Sequence, residues 1–172
     1  MSTFDTDILL YIDIKIIIKY NFLIVDLNLT RKIKMDYNIN RFIEAQEETY
    51  LNALDEIKDG IKRTHWMWFI FPQHKDLGYS STSKFYGISD LEEAKQYLAH
   101  PILGYRLCEV STELLKHKDK TIVEILGPTD ALKLKSSMTL FDIVEPNSVF
   151  NDILNTFYEG ERDIKTLQLL EI

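Results

Sequence analysis

The chain has 172 residues, of which 45% are hydrophobic, so it has the usual size of one domain and can bury an independent core. Its single cysteine excludes an internal disulfide and a cysteine-based zinc site, which fits a reducing compartment such as the cytoplasm. The formal net charge of −7 argues against the broad basic face of proteins that bind nucleic acid. We therefore predict a soluble cytoplasmic domain without a nucleic acid partner.

Residues 1–34 form an N-terminal extension with a composition of its own. Isoleucine stands at every even position from 12 to 18, with Asp13, Lys15, Ile17 and Lys19 at the odd ones, and a second apolar run covers residues 22–29, which predicts two extended segments that could pair as a hairpin. Charged residues interrupt both runs, so neither a membrane-spanning helix nor a secretory signal is expected. The alternative is that translation starts at Met35. In both cases we expect the extension to be dispensable for a domain at residues 35–172.

After residue 35 the apolar residues recur at helical spacing, and capping residues or glycines divide the pattern into six to seven helices. The first, capped by Asn38 or Asn40, ends at Gly60. The later ones are predicted from a Ser89–Glu92 capping box to Ala99, from Pro101 to His117, and over residues 121–126, 129–144, 148–158 and 163–170. Only residues 64–71 fit a strand and a buried helix equally well. The predicted fold is a mainly α, single-domain array of helices.

One segment, residues 65–86, combines aromatic and polar side chains in the manner of a small-ligand pocket. We predict that His65 is the acid or base of this site. The ligand-binding side chains predicted from the same segment are Trp66, Trp68, Gln73, Ser80, Ser83 and Tyr86. The alternative is that the aromatic residues are simply core and that the histidine bonds to a backbone carbonyl.

A second segment, residues 132–141, places hydroxyl groups beside a cation, a composition suited to a phosphate or a carboxylate. Its predicted ligand-binding residues are Lys135, Ser136 and Ser137, and Arg106 could add a bidentate contact. We expect Lys135 and Thr139, one helical turn apart, to face the same cleft as His65. The alternative is a solvated lysine, with the hydroxyl groups bonded back to their own helix. The four histidines lack metal-ligand spacing, so neither a metal nor a cofactor is predicted.

Four runs of the sequence resemble, in matching order, a bacterial family of domains of unknown function, numbered eighteen-ten and once loosely labelled calpastatin-like. They are residues 65–73 (HWMWFIFPQ), 78–87 (GYSSTSKFYG), 97–104 (YLAHPILG) with Arg106, and 132–141 (LKLKSSMTLF). The resemblance covers about residues 39–170. It implies a mainly helical fold and supplies no established activity.

Two classes of function remain open on these observations. The leading one is a domain that binds a small anionic or nucleotide-type ligand, with a hydrolase or glycosidase activity as its enzymatic form. The alternative is a non-catalytic protein-interaction or structural domain, in which the aromatic run docks a partner. A single concave cavity containing His65, Gln73, Ser80 and Lys135 would favour the first class.

Overall fold

The computed structural model describes residues 37–172, so the predicted hairpin and the alternative start at Met35 lie outside the described residues. Within the described part the chain is mainly helical and contains no strand, which confirms the predicted fold class. Its ten α-helices are α1 (Asn40–Glu47), α2 (Tyr50–Lys58), α3 (Met67–Ile70), α4 (Ser81–Phe85), α5 (Leu91–Ala99), α6 (Leu103–Leu114), α7 (Ile122–Leu126), α8 (Pro128–Val144), α9 (Val149–Tyr158) and α10 (Ile164–Leu169). Two short 3-10 helices cover Lys75–Leu77 and Leu115–His117.

The described helices outnumber the predicted ones because some are short and one predicted helix is divided. The predicted first helix is interrupted before Tyr50, where the hydroxyl of Thr49 donates to the carbonyl of Ala45 (2.5 Å). Residues 64–71, for which the pattern was ambiguous, contain the four-residue helix α3. The short helix α4 begins after Ser80, whose hydroxyl accepts from the backbone N–H of Ser83 (3.1 Å).

The capping residue of α5 differs from the prediction by one position. Asp90, and not Ser89, is the N-cap, and its carboxylate accepts from the backbone N–H of Glu93 (2.9 Å). Glu93, and not Glu92, closes the reciprocal bond by accepting from the backbone N–H of Ser89 (2.7 Å). Glu93 is buried in an ion pair with Arg41 (2.7 Å), and this tertiary contact selects it over its neighbour.

Three other predicted helix starts also shift. Helix α8 begins directly after Gly127 and not at Thr129. The φ angle of Gly127, 78°, is not helical and separates α8 from α7. Helix α6 begins at Leu103, so Pro101 lies in the preceding turn. Helix α1 follows Ile39, and neither of the predicted asparagines caps it. Local capping patterns therefore locate these starts only to within about two residues.

The core centres on α8, which packs against α5, α7, α9 and α10. Four fully buried aromatic rings, one from each of α1, α5, α8 and α9, form a row within this core. The ring centre of Tyr97 on α5 lies 4.9 Å from that of Phe42 on α1 and 5.5 Å from that of Phe141 on α8. Phe141 in turn lies 5.6 Å from Phe150 on α9. Such pairs add to the burial of large apolar surfaces. Within residues 37–172, no helix is both long and apolar enough to span a membrane.

The segment between α3 and α5 is held by backbone contacts and by Arg41. The guanidinium of Arg41 donates to the carbonyls of Phe85 (2.8 Å) and Gly87 (2.9 Å), which ties the end of α4 to α1. The backbone N–H of Ile88 donates to the carbonyl of Gln73 (2.9 Å) in a single parallel bridge. These contacts fix the position of the loop that carries the polar residues of the candidate site.

Candidate functional site

The candidate site is a cleft made of two adjoining cavities, of about 350 Å³ and about 590 Å³, which we call the first and the second cavity. They share three lining residues: Trp68, Thr129 and Lys133. The first cavity is also lined by Lys62, His65, Gly127 and Asp130. The second is also lined by Gln73, Tyr79, Ser80, Ser83, Leu132 and Ser136. Both volumes lie within the range of small-ligand sites.

Six of the predicted site residues line this cleft, although they divide between the two cavities. They are His65 in the first cavity, Gln73, Ser80, Ser83 and Ser136 in the second, and Trp68 in both. Parts of two segments that lie more than 40 positions apart in sequence, residues 65–86 and 132–141, therefore meet at one cleft. Whether these residues bind a ligand stays a prediction.

Helix α8 supplies one wall of the cleft through residues that share a helical face. Thr129, Leu132, Lys133 and Ser136 stand at positions i, i+3, i+4 and i+7, and all four line a cavity. The lysine on this face is Lys133, which the sequence analysis did not select. Lys135 lies two positions further on, roughly 200° around the helix.

The structure places Lys135 and its neighbours outside the cleft. Its ammonium pairs with the carboxylate of Glu161 (3.0 Å) and lies 5.7 Å from the ring centre of Tyr158. Thr139 is fully buried, and its hydroxyl donates to the carbonyl of Lys135 (2.8 Å), as the alternative interpretation expected. Ser137 is fully buried too. The expectation that both residues face the cleft is therefore wrong: Lys135 stands on another side of α8, and Thr139, which shares the face of Leu132 and Ser136, is buried where its hydroxyl accepts from the backbone N–H of Asp163 (2.8 Å).

Trp66 belongs to the core and not to the cleft wall. Only 1% of its surface is exposed, and its indole N–H donates to the carboxylate of Glu56 (2.8 Å). The alternative interpretation, in which the aromatic run is core, is therefore correct for this residue. Trp68, two positions later, is only partly buried and faces the cleft.

Arg106 and Tyr86 also pack in other regions of the fold, away from the cleft. The guanidinium of Arg106 lies 4.5 Å from the ring centre of Tyr50 and donates to the side chain of Gln46 (3.3 Å). The ring of Tyr86 packs edge-on against that of Phe69, with 5.3 Å between their centres. Neither residue lines the cleft, so we remove both from the set of candidate ligand contacts.

The loop that carries His65 is organised by one buried carboxylate. Glu56 on α2 is 3% exposed and accepts from the backbone N–H groups of Arg63 (2.7 Å) and Thr64 (3.1 Å) and from the hydroxyl of Thr64 (2.6 Å). The indole N–H of Trp66 donates to the same group. Burial tends to raise the pKa of Glu56, but these donors outweigh it and lower the pKa to about 2.

His65 itself is exposed at the first cavity and makes no hydrogen bond within residues 37–172. The carbonyl contact of the alternative interpretation is therefore absent from this part of the chain. The centre of its ring lies 6.5 Å from that of Trp68, with the two planes tilted by 32°. Glu56 anchors the backbone of Thr64 before His65 and the indole of Trp66 after it, so the imidazole projects from a fixed loop.

The first cavity holds a partly buried set of charges. Asp130 accepts from Lys62 (2.8 Å) and from Lys133 (2.8 Å). Burial tends to raise the pKa of Asp130, but the hydrogen bonds from the two lysines lower it below its usual range. Across the whole cleft, three lysines stand against two aspartates, because Lys165 and Asp163 line the second cavity. The cleft is thus net positive in a chain with a formal charge of −7.

The second cavity combines uncharged polar groups with exposed apolar side chains. The side-chain amide of Gln73 makes no hydrogen bond within the described residues. The hydroxyl of Ser80 donates to that of Ser83 (2.9 Å), so their bonds are partly used locally. Tyr79 is 95% exposed and Leu132 is 69% exposed, although both line the cavity. Sequence reasoning missed both of them. The helical spacing from Ser136 could have indicated Leu132, but no sequence signal indicated Tyr79.

Residues 37–172 contain no group of three or more His, Cys, Asp or Glu side chains placed to hold a metal ion.

The chain is thus mainly helical, and its candidate site lies along one face of the central helix α8. The chain belongs to the family described as "Protein of unknown function (DUF1810)", whose model matches residues 36–170. This confirms the resemblance found in the sequence. The chain is also similar to the crystal structure of the conserved hypothetical protein Rv1873 from Mycobacterium tuberculosis, with 44% identity and a TM-score of 0.77. The similarity covers 79% of this chain and 98% of that one. A comparison with curated proteins found no match.

Proposed function

We propose that the cleft binds a small anionic ligand of the nucleotide type. The observation that carries the proposal is the position of Lys133, which lines both cavities and lies with its ammonium 5.1 Å from the ring centre of Trp68. A cation and an aromatic surface therefore stand together at the wall that the two cavities share. Phosphate groups and flat rings are the chemistry that such a pair recognises.

The charge distribution supports an anion in preference to a cation. Asp130 is the acidic group of the first cavity, and it is already shared by Lys62 and Lys133. An incoming phosphate would meet two ammonium groups with one compensating carboxylate between them. The hydroxyl of the exposed Thr129 lines the same place and could donate to a phosphate oxygen.

The enzymatic form of the proposal assigns proton transfer to His65. Asp130 is held ionised by two lysines, and its lowered pKa makes it a poor proton donor near neutral pH. His65 is free of hydrogen bonds within the described residues and stands at the mouth of the same cavity. A hydrolase or glycosidase acting on a bound nucleotide-type ligand would therefore use His65 as its acid or base.

A non-catalytic protein-interaction domain is the second candidate. The observation that favours it is the exposure of Tyr79 and Leu132, both of which line the second cavity. Exposed aromatic side chains of this kind are common anchors of protein interfaces. Under this alternative the cleft would bind a side chain of a partner and would not need Lys133 for it.

Thermal-shift screening against nucleotides and sugar phosphates is the first experiment. A ligand at 100 times its dissociation constant should stabilise the fold by about 2.7 kcal/mol, which raises the melting temperature by about 5 °C or more. Isothermal titration of the best ligand should then show binding weakened about tenfold or more in Lys133→Ala.

Lys135→Ala is the matched control, because it removes a lysine of the same helix that also pairs with a carboxylate and lies over an aromatic ring. We expect this variant to bind like the wild type. Equal losses in the two variants would contradict the proposal, and so would a screen in which no anionic ligand raises the melting temperature.

A further inference from the structure

Building on the proposed function, we propose that Tyr79 holds a flat ring in the second cavity while Lys133 holds an anionic group at the wall shared with the first cavity. The ligand is then a phosphorylated ring compound, for which a nucleoside monophosphate is the simplest model. Tyr79 is the specificity-determining residue of this arrangement. Its role is separate from that of Lys133, because the two side chains recognise different parts of the ligand.

The backbone on both sides of Tyr79 is fixed, although its side chain is free. A Cβ atom at Gly78 would lie 2.4 Å from the hydroxyl oxygen of Ser83, so only glycine allows the loop to rest against α4. On the other side, Ser80 caps α4 by accepting from the backbone N–H of Ser83 (3.1 Å). Tyr79 is thus presented from a rigid loop, which keeps the entropic cost of engaging a ligand low.

The exposure of Tyr79 leaves its ring available for a partner. At 95% it is the most exposed of the large hydrophobic side chains in the described part of the chain, yet it lines the second cavity. Leu132, 69% exposed, supplies a second apolar surface to the same cavity from α8. A flat ring bound there would cover both surfaces, and the uncharged amide of Gln73 could bond to polar atoms on its edge.

Volume and uncharged polar content assign the anionic part of the ligand to the first cavity, because each cavity is lined by two lysines and one aspartate and net charge does not distinguish them. Lys133 lines both cavities, and with Lys62 it brings positive charge to the first. The second cavity has the larger volume, about 590 Å³ against about 350 Å³, and contains most of the uncharged polar groups. The larger cavity therefore suits the ring with its attached sugar, and the smaller one, where Lys62 and Lys133 both lie 2.8 Å from Asp130, suits a phosphate.

Isothermal titration with two phosphorylated ligands, one with a flat ring and one without, tests the assignment of the ring to the second cavity and of the phosphate to the first. Adenosine 5′-monophosphate carries both a ring and a phosphate, whereas ribose 5-phosphate lacks the ring. We expect Tyr79→Ala to weaken binding of adenosine monophosphate about tenfold and to change binding of ribose 5-phosphate less than about twofold. Tyr79→Phe keeps the ring and should bind both ligands like the wild type.

Two controls separate this inference from the proposed function. Tyr105→Ala removes a tyrosine that is 65% exposed on α6 and lines neither cavity, so it should change nothing. Lys133→Ala should weaken both ligands. A loss in Tyr79→Ala that is equal for the two ligands, or no loss at all, would overturn the role of Tyr79 and leave the proposed function standing. If neither ligand binds to the wild type while another anion does, the division also fails. If no anion binds, the proposed function fails first.

Discussion

Lys133 covers the ring of Trp68, with 5.1 Å between its ammonium nitrogen and the ring centre, and both residues line both cavities of the cleft. Lys133 also bonds to Asp130 (2.8 Å), so its position is set from two sides. A lysine held this way loses less side-chain entropy when it binds an anion. The roles proposed for the other residues of the cleft therefore depend on the pair of Lys133 and Trp68.

The two tryptophans are expected to differ in their contributions to stability. Trp66 is 1% exposed and bonded to Glu56, so Trp66→Ala should cost about 3 to 5 kcal/mol through a cavity and a lost hydrogen bond. Trp68 is partly exposed, and Trp68→Ala should cost about 1 to 2 kcal/mol. Urea unfolding of the two variants measures the difference. A larger cost for Trp68 would mean that the cleft is closed in solution.

Glu56 is expected to be essential for the loop of His65. Its buried carboxylate accepts hydrogen bonds from backbone N–H, hydroxyl and indole donors. In Glu56→Gln one carboxylate oxygen becomes an amide N–H group, which would face some of these donors and could not accept from them. We expect a loss of about 2 to 4 kcal/mol in the free energy of unfolding. Glu44→Gln, at an exposed position of α1, should change it by less than about 0.5 kcal/mol. Similar values for the two variants would refute the role of Glu56.

The same carboxylate predicts a pH dependence of stability. The pKa of Glu56 falls from 4.5 to about 2 in the folded chain, so between these values the folded state binds fewer protons than the unfolded state. The stabilisation from Glu56 is therefore complete above about pH 4.5 and is lost as the pH falls towards 2. The difference in unfolding free energy between wild type and Glu56→Gln should shrink by about 2 to 3 kcal/mol over this window. A difference independent of pH would contradict the assigned pKa.

Gly104 is expected to tolerate no side chain. A Cβ atom there would lie 1.9 Å from the carbonyl oxygen of Leu98, so α5 and α6 would have to separate. Alanine normally stabilises a helix by about 1 kcal/mol relative to glycine. We nevertheless expect Gly104→Ala to lower the free energy of unfolding by about 2 to 4 kcal/mol. An unchanged or higher melting temperature would show that the helices can move apart at little cost.

The periodicity of apolar residues was sufficient to predict the fold class, because a helix that packs on one side must repeat its apolar residues at helical spacing. The stripe of Leu103, Leu107, Val110 and Leu114 on α6 is fully buried, as this argument requires. The caps were harder to predict. Ser89 and Asp90 are both good capping residues, and the choice between them depends on Glu93, which Arg41 holds from a distant part of the chain.

The candidate site was predictable at the level of segments but not always of residues. Composition directed attention to residues 65–86 and 132–141, and the structure brings parts of both to one cleft. Choosing between Lys133 and Lys135 required knowing which face of α8 meets the cleft, and α8 is buried on so much of its surface that its sequence hardly distinguishes one face. Tyr79 was missed because the exposure of a loop residue depends on packing that the sequence does not display.

The two tryptophans allow one direct measurement of ligand binding at the cleft. In a two-dimensional proton–nitrogen NMR spectrum each indole gives its own signal, and Trp66→Phe assigns them. Adding adenosine 5′-monophosphate should shift the Trp68 signal with saturation, because Trp68 lines both cavities, and should leave the Trp66 signal, buried against Glu56, nearly unchanged. The shift should require a higher ligand concentration in Lys133→Ala but not in Lys135→Ala. A Trp68 signal that stays fixed at millimolar ligand, or equal shifts of both signals, would contradict the proposal that this cleft is the binding site.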